Sequence, residues 1–141
     1  MGTRLVVAVS GGFDPVHRGH IRYFKEAKRL GNYLIVLLNS DEFLVRKKGK
    51  PFMNFEERKE ILEAIKYVDK VVKVIDQDDS VAKTLEMVKP DIFAKGGDRV
   101  KSNLPKSETD VCQRLGIRMV FGVGGGKIQS SSWLLSKTVK H

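Results

Sequence analysis

Two histidines, His17 and His20, stand three residues apart just after a pair of glycines. On the first turn of a helix, this spacing places both imidazoles on one face. The start of a helix also presents backbone N–H groups that attract phosphate. Imidazole N–H groups beside them could stabilise charge that develops on a phosphate during a reaction. The pair therefore predicts a phosphate site, and the alternative is two surface or capping histidines without a chemical role.

A strand, a turn and a helix must position these histidines. The apolar run from Leu5 to Val9 predicts a short buried strand. Gly11 and Gly12 end the strand and permit backbone conformations that larger residues resist. Asp14 and Pro15 then form a turn, after which a helix is expected to begin. The predicted phosphate site thus lies at a strand-to-helix junction.

The stretch Gly-Phe-Asp followed by His-Arg-Gly-His, within residues 12–20, resembles the GxFDxxHxGH motif of the cytidylyltransferase-like nucleotidyltransferases. The resemblance extends from the first predicted strand to the last predicted helix. It implies that a nucleoside triphosphate is joined to a phosphorylated small molecule and that pyrophosphate is released. It also implies that His17 and His20 are catalytic. The nucleotide-binding residues that it implies within this stretch are Gly11, Gly12, Phe13, Asp14 and Gly19.

A cationic stretch follows the second predicted strand. Residues 39–50 are predicted to form a loop with three lysines and one arginine, which could bind phosphate or could simply be a solvated charged surface. Residues 40–59 resemble the same segment of glycerol-3-phosphate cytidylyltransferase. That resemblance implies that Lys47 contacts phosphate and takes part in catalysis. It further implies that Asp41 and Arg58 bind the acceptor substrate, whereas from the residues alone Arg58 could be a plain surface cation.

The sequence Lys95-Gly96-Gly97-Asp98 follows the fourth predicted strand. Two glycines let the backbone approach a ligand closely, and Asp98 could accept hydrogen bonds from a sugar hydroxyl or a base. The alternative is an ordinary Gly-Gly turn. Residues 90–98 resemble the Lys-Gly-Gly-Asp region of the adenylyltransferase domain of bifunctional ADP-heptose synthase. That resemblance implies that Gly97 and Asp98 bind ATP, and the polar segment 99–108 is expected to form a lid or substrate loop.

Three glycines and three serines follow the fifth predicted strand, within residues 124–132. Backbone N–H groups and hydroxyls at a helix start could bind phosphate oxygens, although a flexible loop with a capping serine would look the same. Their position matches the late Ser-Thr-Thr motif of the family, which implies that Ser130, Ser131 and Ser132 contact the nucleotide phosphates. Gly125 stands where some cytidylyltransferases have a basic residue.

Apolar runs alternate with helical patterns along the whole chain. Strands are predicted at 5–9, 33–38, 71–75, 92–94 and 117–123, and helices at 18–30, 56–67, 105–115 and 130–139, with one more ending before Pro90. In the helix at 56–67, Ile61, Leu62 and Ile65 are expected to face the core. This alternation predicts an α/β fold, a Rossmann-like doubly wound five-stranded parallel sheet of order 3-2-1-4-5, in a single domain covering 1–141. Ligands of such sheets bind beyond the carboxyl ends of the strands, beside the first strand.

The composition narrows the choice of partners. A net charge of +9, from 26 basic and 17 acidic residues, favours polyanions, here a nucleoside triphosphate and a phosphorylated small molecule. We expect no nucleic-acid partner, because the aromatic residues are not interleaved with the basic ones. No apolar run approaches the roughly 20 residues that cross a bilayer, so no membrane partner is expected. A single cysteine, Cys112, excludes an internal disulfide and favours the cytoplasm.

The sequence thus predicts a nucleotidyltransferase that moves a nucleoside monophosphate, preferably from ATP, to a phosphorylated sugar such as heptose 1-phosphate. The alternatives are a CTP-dependent enzyme acting on glycerol 3-phosphate or another phospho-alcohol, and a non-catalytic nucleotide or RNA binder. No protein metal site is predicted. Mg²⁺ is expected to be bound mainly by phosphates and water, and Asp14 could be an outer partner. The resemblance also implies a homodimer.

Overall fold

A parallel sheet with helices on both faces organises the chain in this computed structural model, which describes residues 3–96, 104–125 and 129–130. None of the helices in these ranges is long and apolar enough to cross a membrane. In chain order the elements are β1 (Val6–Gly11), α1 (Arg18–Arg29), β2 (Tyr33–Leu38), α2 (Asp41–Lys48), α3 (Phe55–Glu63), β3 (Lys70–Lys73), α4 (Ala82–Val88), β4 (Ile92–Gly96), α5 (Lys106–Leu115), β5 (Arg118–Val123) and β6 (Gln129–Ser130).

The order of strands in the sheet is β3-β2-β1-β4-β5-β6. Strands β1 to β5 are parallel, which confirms the predicted order and places β1 at the centre. Strand β6 is an addition, because it pairs antiparallel with β5 through Val120 and Ser130. Ser130 was expected to begin the last helix, and that prediction is wrong. The open edge of β5 offers backbone hydrogen-bonding groups, and the returning chain pairs with them.

The two faces of the sheet bury separate apolar clusters, as a two-sided parallel sheet requires. Because successive side chains of a strand point to opposite faces, Val7 and Val9 pack with α1 and α3. Ala8, between them, packs instead with α4 and α5. All three side chains have no solvent exposure. The central strand is therefore fixed from both sides, and its carboxyl end is held rigidly at the edge of the sheet.

Helix α2 occupies a segment that the sequence predicted to be a loop. Ser40 caps the helix, since its Oγ accepts a hydrogen bond from the N–H of Phe43 at 3.1 Å. Acidic residues lie in its first turn and basic residues in its last turn, which suits the helix dipole. Three of the four cations, Arg46, Lys47 and Lys48, thus lie in the last turn of a helix. Dense charge without an apolar stripe hid the helical pattern.

Helix α3 is shorter than predicted, and one of its side chains faces a different direction from the one predicted. Asn54 caps it, with its Oδ1 accepting the N–H of Glu57 at 2.9 Å, and the helix ends at Glu63. Leu62 is buried as expected, but Ile61 is 39% exposed, so the inward orientation predicted for Ile61 is wrong. Neighbouring positions lie about 100° apart around a helix, so with Leu62 pointing into the core Ile61 lies at the margin of the buried face. Ile65, beyond the helix, packs against the core.

Candidate active site

A cleft of about 480 Å³ opens at the carboxyl ends of β1, β2, β4 and β5. It lies beside the central strand, where ligands of a doubly wound sheet bind. Its size suits a nucleotide or a metabolite. The described residues that line it are Ser10, Gly11, Gly12, Phe13, His17, Gly19, His20, Tyr23, Asn39, Phe43, Asp79, Val81, Lys95, Gly96, Glu108, Val123, Gly124 and Gly125.

The turn after β1 is held by the buried ring of Phe13. Its backbone has φ of +46°, a left-handed conformation that bulky residues rarely adopt. The ring packs edge-on against His20, with centroids 4.9 Å apart, and against Phe24 at 5.1 Å. A Cβ on Gly11 would lie 2.8 Å from this ring, so a glycine is needed there. The packing keeps the strained turn in place and orients the imidazole of His20.

His17 and His20 cap the start of α1 with their own side chains. The Nδ1 of His17 accepts the N–H of Gly19 at 3.1 Å, and the Nδ1 of His20 accepts the N–H of His17 at 3.1 Å. The two rings stack with centroids 3.8 Å apart. A neutral imidazole whose Nδ1 accepts carries its proton on Nε2. The capping arrangement therefore makes the Nε2 atom of each ring a hydrogen-bond donor.

Burial of His20, and secondarily the nearby His17, lowers the pKa of His20 below the ordinary value of 6.5. Both causes disfavour the protonated ring. His20 is therefore neutral near pH 7, with a single Nε2–H. Capping and lining the cleft are compatible roles, so the two sequence interpretations of this pair do not exclude each other.

Arg58, predicted to bind the acceptor, is only 1% exposed. Its guanidinium donates to the backbone oxygens of Met53 at 3.0 Å, Gly12 at 3.0 Å and Asn39 at 2.8 Å. It also pairs with the Asp41 carboxylate at 2.7 Å. Neither charged side chain is among the described residues that line the cleft. Arg58 instead fastens α3 to the glycine turn and to the end of β2.

Asp14 also uses its oxygens within the protein. Its side chain is 2% exposed, accepts the N–H groups of Phe52 and Met53 at 2.7 Å each, and lies 2.9 Å from the Lys48 ammonium. Burial acts to raise the pKa of Asp14, but these hydrogen bonds outweigh it and the net pKa is lowered. Asp14 is not among the described residues around the cleft. In this geometry the carboxylate secures the segment before α3.

Lys47, predicted to be catalytic, lies in the last turn of α2 at the margin of the cleft. Its ammonium is 3.4 Å from the carboxylate of Asp79, which lines the cleft, and 51% of its side chain is exposed. Arg46 is 3.8 Å from the same carboxylate. These two cations and Asp79 form a solvent-accessible group beside the cleft, and Lys47 remains a predicted phosphate ligand.

Glycine is required where β5 meets α1. Gly124 has φ of +90°, and a Cβ there would lie 2.7 Å from the Cα of Tyr23. Its N–H donates to Glu26 at 2.9 Å. The hydroxyl of Tyr23 donates to the backbone oxygen of Ala94 at 2.6 Å, which fixes the other side of the junction. Gly97, Asp98, Ser131 and Ser132 lie outside the described residues, and so does the side chain of Ser130.

Sequence reasoning missed the polar residues that line the cleft at the ends of the strands. Ser10, Asn39 and Lys95 come at the carboxyl ends of β1, β2 and β4. A polar residue that ends an apolar strand was the available signal. Glu108 fell both within the helix predicted at 105–115 and within the segment 99–108 expected to form a lid or substrate loop. It lies in the first turn of α5 and is 3% exposed, so the helix is confirmed and the loop is wrong for this residue. Its carboxylate accepts the N–H of Val81, at the start of α4, at 3.0 Å.

Within the described ranges, no group of three or more His, Cys, Asp or Glu side chains could hold a metal ion. The lone cysteine, Cys112, belongs to the core of α4 and α5. Burial, with the nearby Glu108, raises the pKa of its thiol to about 12. The thiol is therefore protonated and packs as a small apolar residue.

The chain belongs to the cytidylyltransferase-like family, whose model matches residues 8–121. This match covers the sheet from β1 into β5 and confirms the family that the histidine motif indicated. The chain is 40% identical to a FAD synthase of Ferroglobus placidus over 93 residues. This aligned segment covers 66% of this chain and 59% of that protein. It is 37% identical to the bifunctional protein HldE of Hahella chejuensis over 122 residues. That aligned segment covers 85% of this chain and 23% of HldE.

A solved structure has the same fold. The lipopolysaccharide core biosynthesis protein from Thermoplasma volcanium GSS1 superposes with a TM-score of 0.73 at 28% sequence identity. The superposition covers 89% of this chain and 100% of the other. The α/β architecture predicted from the sequence is therefore shared with this solved structure over nearly the whole chain.

Proposed function

We propose that this protein transfers adenylate from ATP to a phosphorylated small molecule and releases pyrophosphate. The observation that carries the proposal is the pair of stacked imidazoles, His17 and His20, whose Nδ1 atoms are fixed by the cap of α1 beside the cleft. FAD is an adenine dinucleotide, so the similarity to a FAD synthase favours ATP. It also suggests FMN as an acceptor, while the similarity to HldE keeps heptose 1-phosphate as the other candidate.

The proposed reaction is a direct displacement at the α-phosphorus. An oxygen of the acceptor's phosphate forms a bond to that phosphorus, and the bond to the bridging oxygen of the β-phosphate breaks. Both electrons of the broken bond leave with pyrophosphate. Such a reaction needs positioning and stabilisation of negative charge more than it needs a covalent nucleophile.

In this proposal the Nε2–H groups of His17 and His20 donate to the bridging and β-phosphate oxygens as negative charge builds there. Their orientation is set before substrate binds, because the Nδ1 atoms are held by backbone N–H groups. A preoriented donor costs little reorganisation at the moment of reaction. The neutral state of His20, favoured by its lowered pKa, supplies a hydrogen bond without burying a charge.

The proposal also includes the other predicted ligands of the two substrates. Lys47 would hold the incoming phosphate, and Ser130, Ser131 and Ser132 would contact the nucleotide phosphates. Mg²⁺ would neutralise the triphosphate and would be bound by phosphate oxygens and water, in keeping with its usual coordination. A homodimer and a cytoplasmic location remain predictions from the resemblance and the composition.

The test replaces His20 by Ala and measures pyrophosphate release from ATP with FMN or heptose 1-phosphate. Loss of one preorganised donor typically lowers turnover about 100- to 1,000-fold. Lys25→Ala, an exposed position on the same helix, is the control and is expected to keep the wild-type rate. Circular dichroism checks that α1 survives, because His20 also accepts the N–H of His17. Wild-type turnover by a folded His20→Ala protein would rule out this role.

A further inference from the structure

Three adjacent strands each carry a polar residue within one position of their carboxyl end, on the same face of the sheet. In β1, Ala8 packs in the cluster with α4 and α5, so Ser10, two residues later, points to that face as well. In β4, Phe93 packs in the same cluster, and Lys95 follows at the same spacing. The 3.4 Å distance between Ser10 Oγ and Lys95 Nζ agrees with this placement.

Asn39 extends the row on the other side of β1. Leu37 packs with α4 and α5, and Asn39 follows two residues later. The N–H of Asn39 donates to the backbone oxygen of Gly11 at 3.0 Å, which continues the pairing of β2 with β1. Because the sheet order is β2-β1-β4, the row runs Asn39, Ser10, Lys95, and all three residues line the cleft. We call these three residues the polar row.

The polar row and the two histidines lie on opposite sides of the sheet. His17 and His20 stand at the start of α1, whose buried residues Phe24 and Ala27 belong to the opposite cluster. The cleft therefore has two halves, one beside α1 and one beside α4 and α5. A reaction that joins two substrates needs two such subsites side by side.

Lys95 brings a buried cation into the second half of the cleft. It is 7% exposed, and its ammonium lies 4.0 Å from Glu108 Oε1 and 4.7 Å from the centre of the Phe93 ring. The other carboxylate oxygen of Glu108 accepts the N–H of Val81 at 3.0 Å, so α4 holds Glu108 in place. The cost of removing both charges of such a pair from water can exceed the gain from their attraction, so stability alone does not explain the pair. Among the described residues that line the cleft, Lys95 is the one lysine or arginine.

Asn39 adds a second polar group to this half of the cleft. It is 8% exposed, and its Oδ1 has no hydrogen-bond partner among the described residues. A buried amide oxygen without a partner is unfavourable, whereas a ligand hydroxyl in the cleft would satisfy it. A cation and a hydroxyl-binding amide in one row fit a phosphate ester on a hydroxylated carbon chain.

We propose that the polar row is the acceptor subsite, in which Lys95 shares with Lys47 the binding of the acceptor's phosphate monoester and Asn39 binds a hydroxyl of its carbon chain. The proposal rests on the proposed function and names the residues that receive its second substrate. Lys95 keeps its proton throughout and takes no part in bond breaking. FMN and sugar phosphates both carry a phosphate ester on a polyhydroxylated chain, so both fit this subsite. Each is therefore tested as an acceptor in a separate assay.

The kinetic test replaces Lys95 by Met and varies each substrate in turn. The KM for the acceptor should rise about ten- to a hundredfold, the effect of one lost hydrogen bond to a charged group, while the KM for ATP stays within about twofold. Lys106→Met is the matched control, because Lys106 lies on the exposed side of α5 and pairs with Asp110. An unchanged acceptor KM, or a rise in the KM for ATP alone, would overturn the assignment.

Removing Lys95 alone leaves Glu108 buried without its cation, and the variant could unfold. The double variant Lys95→Met with Glu108→Gln removes both charges and keeps the shape. We expect it to recover the melting temperature while its acceptor KM stays raised. A wild-type acceptor KM in the folded double variant would overturn the proposal. Asn39→Ala should raise the KM for the acceptor in the same direction, and an unchanged value would remove Asn39 from the subsite.

Binding without ATP separates this inference from the proposed function. FMN fluorescence and calorimetry with heptose 1-phosphate give the affinity of the wild type and of Lys95→Met. At least tenfold weaker binding to Lys95→Met, with no pyrophosphate released by the wild type, would support the subsite and contradict the proposed function. Pyrophosphate release by the wild type, with equal acceptor affinity in the wild type and Lys95→Met, would support the proposed function and contradict the subsite. A wild type that binds neither compound would overturn the subsite.

Discussion

Replacing Arg58 by Met tests whether this arginine acts as a structural fastener. The buried guanidinium donates to three backbone oxygens, of Met53, Gly12 and Asn39, and to the carboxylate of Asp41. Methionine keeps much of the side-chain volume and none of the donors. The variant therefore removes the hydrogen bonds while leaving little space unfilled.

The size of the effect follows from the partners that remain. Taking one member from a buried ion pair costs about 3–5 kcal/mol. Asp41 is 40% exposed and can be rehydrated, which lowers its share, but an unsatisfied buried backbone oxygen adds about 1–3 kcal/mol. These terms overlap, so we expect Arg58→Met to lose about 3–5 kcal/mol of unfolding free energy. That is a large part of the total unfolding free energy of a typical domain, which is about 5–15 kcal/mol.

The assay is urea unfolding followed by circular dichroism, with Lys59→Met as the control. Lys59 is the next residue on α3, partly exposed, and its pair with Glu63 at 3.7 Å contributes about 0.3–0.5 kcal/mol. A Lys59→Met protein should therefore unfold almost as the wild type does. If Arg58→Met lay within about 1 kcal/mol of that control, the structural role assigned to Arg58 would be refuted, because three backbone oxygens lose their donor and each buried one costs about 1–3 kcal/mol.

Two further predictions concern the cleft. Gly124→Ala should destabilise the fold by more than about 1–2 kcal/mol, the cost of a left-handed conformation. Gly125→Ala should be neutral, because no atom of the described residues lies within 4 Å of a Cβ there, and equal melting temperatures of the two variants would contradict this. By NMR titration His20 should show a pKa below 6.5, and in His17→Gln that pKa should rise without passing 6.5; a wild-type pKa above 6.5 would contradict it. Since the folded-state pKa is lowered, the stability due to His20 is present above pH 6.5 and is lost as the pH falls through the folded pKa.

Hydrophobic patterning was enough to predict where the cleft lies. The alternation of strands and helices gave the order of the parallel strands, and that order places the end of β1 at the cleft. The local signals at His17 and His20 lie within a few residues, so their place at the start of α1 was also predictable. Both features depend on short-range sequence and on general rules of sheet topology.

Burial of charged residues was not predictable in the same way. Arg58 stands among acidic and basic neighbours in α3, so its sequence context suggests an exposed cation. Its burial depends on backbone oxygens from distant segments that the fold brings together. Lys95 and Glu108 likewise meet because α5 packs beside α4 and against β5, a contact that no local pattern encodes. Long-range packing decides these roles, and single-sequence reasoning does not reach it.

The central claim is the transfer of adenylate, and isotope transfer tests it most directly. ATP labelled at the α-phosphate, and in a separate sample at the γ-phosphate, is incubated with the wild type, Mg²⁺ and either FMN or heptose 1-phosphate. We expect the α-label to appear in the acceptor and the γ-label in pyrophosphate, with both transfers strongly reduced in His20→Ala. A γ-label in the acceptor, or no transfer of the α-label to either acceptor, would contradict the account.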